Sequence, residues 1–237
     1  MGDAFAYLAT LPAIPLLLYA MHLSQSYILG QLESTFRIGT AVLLGLIAFA
    51  FLLFRFIRVI REVWKLRLGY EAELAMGQEL DQLMRKGAIV CHDVAAENFN
   101  IDHVVVTRKG VFAIETKGRS KPNRGLGKDD AKVIYDGKVL KFPRWAETRP
   151  IEQAQRQAQW LARWLSSAVG EQVAVKPVLA LPGWFVDRKG RSDVLVISGK
   201  EAYALMNAGY TSLPDSFVQR IEHQLEQKCR DVKRPRS

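Results

Sequence analysis

Two long stretches of the 237-residue chain carry almost no polar side chain. Residues 4–23 read AFAYLATLPAIPLLLYAMHL and hold no formal charge. Residues 38–57 read IGTAVLLGLIAFAFLLFRFI and hold only Arg55. A helix needs roughly 20 such residues, at ~1.5 Å each, to cross a hydrocarbon core of about 30 Å. Each stretch therefore reads as a membrane-spanning helix. Pro12 and Pro15 in the first are tolerated within lipid at some cost. A cleaved leader would need a basic start, and Asp3 is the only early charge. Arg55, Arg58, Arg61, Lys65 and Arg67 crowd the exit of the second stretch, whereas the connecting loop offers only Arg37. The positive-inside rule then puts the C-terminal part, and with two spans the N-terminus too, in the cytoplasm. The expectation is a multi-pass protein of the cell (inner) membrane.

Beyond residue 60 the pattern changes. Residues 61–86 read as a helix rich in Leu, Glu, Arg and Lys. Residues 88–92 read as a short strand, and 101–107 with 111–117 as a hairpin around Arg108-Lys109-Gly110. Residues 118–130 form a basic loop. Residues 133–135 and 138–141 flank an Asp136-Gly137 turn. A helix follows at 150–168 with Pro150 at its start, then strands at 173–181 and 193–198 and helices at 200–208 and 214–230. This order predicts an α/β domain with a central sheet flanked by helices. The expected organisation is a transmembrane hairpin at 1–60, one domain at 61–227 and a basic tail at 228–237.

Charge sharpens that division. Residues 1–60 hold five charged side chains, Asp3, Glu33, Arg37, Arg55 and Arg58, so most of the net +9 lies in the remainder. Much of it falls at the membrane exit, in the loop after Lys117, and in the tail with Lys228, Arg230, Lys233, Arg234 and Arg236. At 49% hydrophobic the chain is not disordered, and two cysteines exclude a disulfide scaffold. Cys91 and Cys229 suit a reducing compartment. The tail reads as a disordered basic end, with contact to nucleic acid or anionic lipid the alternative.

The chemistry concentrates in residues 100–117, NIDHVVVTRKGVFAIETK. Side chains alternate along a strand, so Glu115 and Lys117 share one face, about 7 Å apart at ~3.3 Å per residue. If the hairpin closes with Val106 opposite Val111, Asp102 lies directly across from Glu115. Two facing carboxylates repel, yet they suit a hard divalent cation that takes oxygen ligands. Lys117 could orient a water or offset developing negative charge. The plain alternative is a cross-strand network in which the lysine offsets the acids. His103 points to the opposite face and reads as structural. Cys91 and His92 lack partners at zinc-binding spacing. Trp145, Trp160 and Trp164 read as core or interface.

Asp-x12-Glu-x-Lys is the pattern of the PD-(D/E)xK nucleases. Three further blocks accompany it in order: Gly69-Tyr-Glu-Ala-Glu73, the hairpin itself, and Arg149-Pro-Ile-Glu-Gln153. Over roughly residues 68–181 this set resembles the nuclease-related domain family, NERD. The resemblance implies a restriction-endonuclease-like fold, a central mixed sheet flanked by helices, and a Mg²⁺- or Mn²⁺-dependent phosphodiesterase site. Asp102, Glu115 and Glu73 would be metal ligands, Lys117 the catalytic lysine, and Gln153 would complete the site. One departure is Gly118, where many relatives carry Asn. Periodicity adds to the case for Glu73. Leu66, Tyr70, Gly77, Leu80 and Met84 form a helical stripe that includes it, and a core-facing carboxylate needs a partner. In the later helix, Ile151, Ala154, Ala158, Leu161 and Leu165 form the packing stripe, and Gln153 and Gln157 share another face. Arg119, Lys121, Arg124 and Lys128 would grip a nucleic-acid backbone, DNA in preference to RNA; the alternative is a solvated loop. The expected function is a membrane-anchored nuclease. One alternative is a non-catalytic, membrane-tethered nucleic-acid-binding or scaffold module; another is a hairpin that recruits membrane partners or a second copy, with the domain acting only within that complex.

Overall fold

The computed structural model describes residues 13–28, 34–122, 125, 127–208 and 212–232. The chain divides into two compact units, Met1–Arg67 and Leu68–Ser237.

In the first unit, helix α1 spans Ala13–Ile28. Helix α2 spans Ser34–Met84 and has no proline to break it. It therefore merges the expected second span with the helix expected at 61–86. Leu43, Leu46, Phe51 and Phe54 are all exposed, so much of its first half presents apolar side chains outward among the described residues. Among the described residues, one helix rather than the expected two is long and apolar enough to cross a membrane, within Ile38–Met84. The 16 described residues of α1 reach about 24 Å at ~1.5 Å each, short of a hydrocarbon core. The remainder of the first expected span, 4–12, and the basic tail from 233 lie outside the described residues.

The second unit carries two mixed sheets, where a single central sheet was expected. The larger contains β1 (Ile89–Ala95), β2 (Asn100–Thr107), β3 (Gly110–Thr116), β7 (Val175–Ala180) and β9 (Leu195–Ile197), adjacent in that order. β1, β2 and β3 are antiparallel, while β3, β7 and β9 run parallel. The smaller contains β4 (Lys132–Tyr135), β5 (Leu140–Lys141), β6 (Ala146–Glu147) and β8 (Phe185–Arg188), in the order β6-β5-β4-β8. β6 and β8 escape sequence reading because each is too short to show a period. The β4–β5 turn sits one residue later than expected, on Gly137-Lys138, with Gly137 at φ 100°. The Asp136 carboxylate accepts the N–H groups of Lys138 and Val139 there.

Strand alternation sorts the larger sheet's residues into two layers. Val104, Val106, Val111 and Ala113 face Leu161 and Leu165 of α3 (Arg149–Val169) and Ile221 and Leu225 of α4 (Asp215–Val232). Val105, Phe112 and Ile114 face Met76, Leu80 and Leu83 at the end of α2. The α3 stripe packs as its spacing predicts. The α2 stripe holds only at Gly77 and Leu80. Leu66, Tyr70 and Met84 are exposed, and Ala72, Met76, Leu80 and Leu83 are the buried positions. Glu73 therefore lies on the flank of α2 and is exposed. The third core, around Tyr135, Leu140 and Trp184, joins the smaller sheet to Leu179 and Val196 of the larger and to Leu181 just past β7.

Candidate active site

The β2–β3 hairpin pairs Thr107 with Gly110, Val106 with Val111 and His103 with Ile114, closing on Arg108-Lys109. Carried one residue further, that register sets Asp102 across from Glu115, as the alternation argument requires. The Thr116 N–H donates to the Asp102 carboxylate at 2.6 Å. Glu115 is 1% exposed. One of its oxygens meets the Lys117 ammonium, and the other accepts the Gln157 side-chain amide at 2.5 Å. That amide also donates to the Asn100 carbonyl at 3.2 Å. Lys117 follows β3 directly, and its N–H continues the parallel pairing by donating to Ala180 O at 2.9 Å. A carboxylate this deep would cost several kcal/mol unpaired; the ammonium and the amide offset that.

The acids strain against one another. Burial first, and then the neighbouring Glu115, push the Asp102 carboxyl up to about 7, although the Thr116 N–H pulls the other way. Partial burial, followed by Glu115, also raises Glu73 above the ordinary carboxylate range. Glu73 and Asp102 line one cavity of about 490 Å³ with Asp81, His92, Asp93 and His103. Asp93 adopts φ 52°, unusual for a residue with a side chain.

A second polar cluster lines the same cavity, and sequence reasoning missed it. His92 and His103 face each other across β1 and β2, with Nδ1 atoms 2.8 Å apart. His92 Nε2 lies 2.9 Å from Asp81 Oδ1. Burial, then His92, lowers His103 to about 4, which keeps it neutral at pH 7. A neutral His92 that donates Nε2–H to Asp81 accepts at Nδ1 from His103, which leaves His103 Nε2 without a hydrogen. That nitrogen is buried and, among the described residues, has no partner. The β1–β2 register was the missing signal, since it alone makes the two histidines neighbours.

The remaining expectations divide. Gln153 is half-buried one turn before Gln157, and it is Gln157 that reaches Glu115. Arg119 points into the protein, donating to both Glu147 oxygens at 2.8 and 2.9 Å. Lys121 is exposed. Arg124 and the Lys128 side chain lie outside the described residues. Gly118 is explained by a close approach, because a Cβ there would collide with the Leu68 carbonyl and lie 3.1 Å from Ala72 Cβ. Asn cannot occupy that position in this chain without moving α2.

The donor set is all oxygen and suits a hard cation such as Mg²⁺. Among the described residues no group of three His, Cys, Asp or Glu side chains is arranged to hold a metal. Mg²⁺ commonly takes one or two carboxylates and completes its shell with water and substrate phosphate, so facing Asp102 and Glu115 fit it. Gln157 Oε1, buried and without a partner among the described residues, leaves a further acceptor beside Glu115.

No curated protein and no solved structure matches the chain. Residues 68–182, the stretch that carries Glu73, Asp102, Glu115, Lys117 and Gln157, match the family model of the nuclease-related domain, NERD.

Proposed function

We propose that the Leu68–Ser237 unit is a metal-dependent nuclease with a PD-(D/E)xK site on a restriction-endonuclease-like core. The observation that carries this reading is the junction of Asp102 and Glu115 on adjacent strands with the Lys117 ammonium on Glu115, inside a match to a nuclease-related domain. Asp102 and Glu115 would hold Mg²⁺ or Mn²⁺, with Glu73 on the cavity flank beside them. The bound cation would supply charge for the phosphate oxygens and acidify a water. Lys117 orients the attacking water and offsets charge on the phosphate as the phosphodiester opens. Gln157 holds the Glu115 carboxylate in its plane. Met1–Arg67 holds the unit at a membrane, with the basic exit of the span placing it on the cytoplasmic side.

The test is cleavage of labelled DNA and RNA by the full chain in detergent with Mg²⁺ or Mn²⁺. We expect Lys117→Ala and Asp102→Asn each to lose at least about 100-fold, in line with removing a group that acts in the transition state. Undiminished cleavage in both variants overturns the assignment. Salt-sensitive binding without cleavage under either metal would favour the non-catalytic, membrane-tethered module instead. That alternative has one observation behind it: Lys117 and Gln157 already satisfy the Glu115 carboxylate.

A further inference from the structure

The parallel strands β3, β7 and β9 end along one edge of the larger sheet, and open α/β sheets bind ligands outside such carboxyl ends. Lys117 leaves β3 at this edge. The chain after β7 turns through Gly183 into β8, and the chain after β9 turns through Gly199 to Lys200. Between these turns and the start of β4 lies a cavity of about 660 Å³, separate from the one that holds the acids. Its rim carries Phe185, 65% exposed, while its neighbour Trp184 is 2% exposed. Trp184 Nε1 donates to the Arg119 carbonyl at 3.1 Å, which fastens this rim to the segment two residues beyond Lys117.

The exposure of Phe185 follows from alternation. Val186 turns into the core, so Phe185 turns out, beside Lys132 across the parallel β4–β8 pair. Lys132 is held by Asp187 at 2.9 Å, and Asp129 is the acid on the rim. Lys200 borders the cavity. Lys121 lays its ammonium 3.4 Å from where a Gly183 Cβ would stand. Both lysines are exposed. An open aromatic face flanked by exposed lysines matches the chemistry of a single polynucleotide strand, which offers base faces for stacking and phosphates for cations. A duplex hides its base faces, so it has no use for the ring.

We propose that this rim binds an unpaired stretch of polynucleotide next to the scissile phosphodiester, with one base on Phe185 and adjoining phosphates on Lys121 and Lys200. The proposal rests on the nuclease reading and names where the substrate's flank lies.

The test uses the full chain in detergent micelles with EDTA, so that no cleavage intervenes. Fluorescence anisotropy follows a labelled dT12 strand and a blunt 12-base-pair duplex. Phe185→Ala should weaken dT12 binding about tenfold, leave duplex binding within twofold, and be rescued by Phe185→Trp. Lys200→Ala should lower the salt dependence of dT12 binding by about 0.7 in log–log slope, one phosphate's share on a single strand. Phe185→Ala binding dT12 as tightly as the wild type, or losing equally on both probes, overturns the proposal and leaves the nuclease reading standing if cleavage still depends on Lys117. A wild-type chain that binds neither probe overturns the proposal, and the nuclease reading then stands or falls on cleavage with Mg²⁺ or Mn²⁺.

Discussion

Gln157 delivers an N–H to a carboxylate that is almost fully enclosed, so its loss leaves Glu115 one partner short. Gln157→Leu should therefore cost more activity than Gln153→Leu, about tenfold or more. A steady-state comparison of the two variants checks this, and equal effects would return the role to Gln153. The sequence showed both glutamines on one helix face, but only the packing of α3 on β3 decides which meets Glu115. Asp102 gives a pH signature. Its carboxyl titrates near 7 in the fold against an ordinary 3.8. Below the ordinary value both folded and unfolded chains hold the proton. Between about 4 and 7 only the folded chain does, so its contribution to stability is lost as pH rises through that window. Urea melts of the full chain in detergent should show a fall in stability from pH 4 to pH 7 that Asp102→Asn flattens. A divalent cation needs the ionised carboxylate, so Mn²⁺ should raise the melting temperature more at pH 8 than at pH 6.

At the scale of elements, the hairpin was readable because three things agree: alternating apolar residues, a short basic turn and the register that pairs Val106 with Val111. The α2 face was not readable, because Leu66, Tyr70 and Met84 are apolar yet exposed. Ala72 and Met76 pack instead, so α2 is rotated from its expected face and Glu73 moves from the core to the cavity flank. Gly118 follows from the same contact. A Cβ there would collide with the Leu68 carbonyl, so the bare glycine lets the turn after β3 run under α2. Gly118→Ala should destabilise the unit by about 1–3 kcal/mol, the usual cost of overfilling a packed site. A thermal melt that matches wild type would show that α2 and the β3 exit are not in contact in solution. The histidine pair lay equally beyond sequence reading, since His92 and His103 meet only through β1–β2 pairing.

The whole molecule joins an apolar helix to an oxygen-lined site, and the contrast between residues 1–60 and the rest announced that union before any fold was known. Of the two expected spans, 38–57 falls within a helix long and apolar enough to cross, while residues 4–12 of the other lie outside the described residues. If α2 crosses the bilayer, the chain should stay with membranes through high-salt and carbonate washes and leave only with detergent. Release by salt alone would reduce the attachment to surface charge. Protease added to sealed inverted vesicles should digest the Leu68–Ser237 unit, and protection there would reverse the proposed orientation. The account as a whole turns on whether the facing acids are a metal site. Crystals of the full chain soaked in Mn²⁺ decide this through anomalous scattering. The account predicts a peak within coordination distance of both Asp102 and Glu115, absent in Asp102→Asn. Manganese bound elsewhere, with none between those two carboxylates, would contradict it.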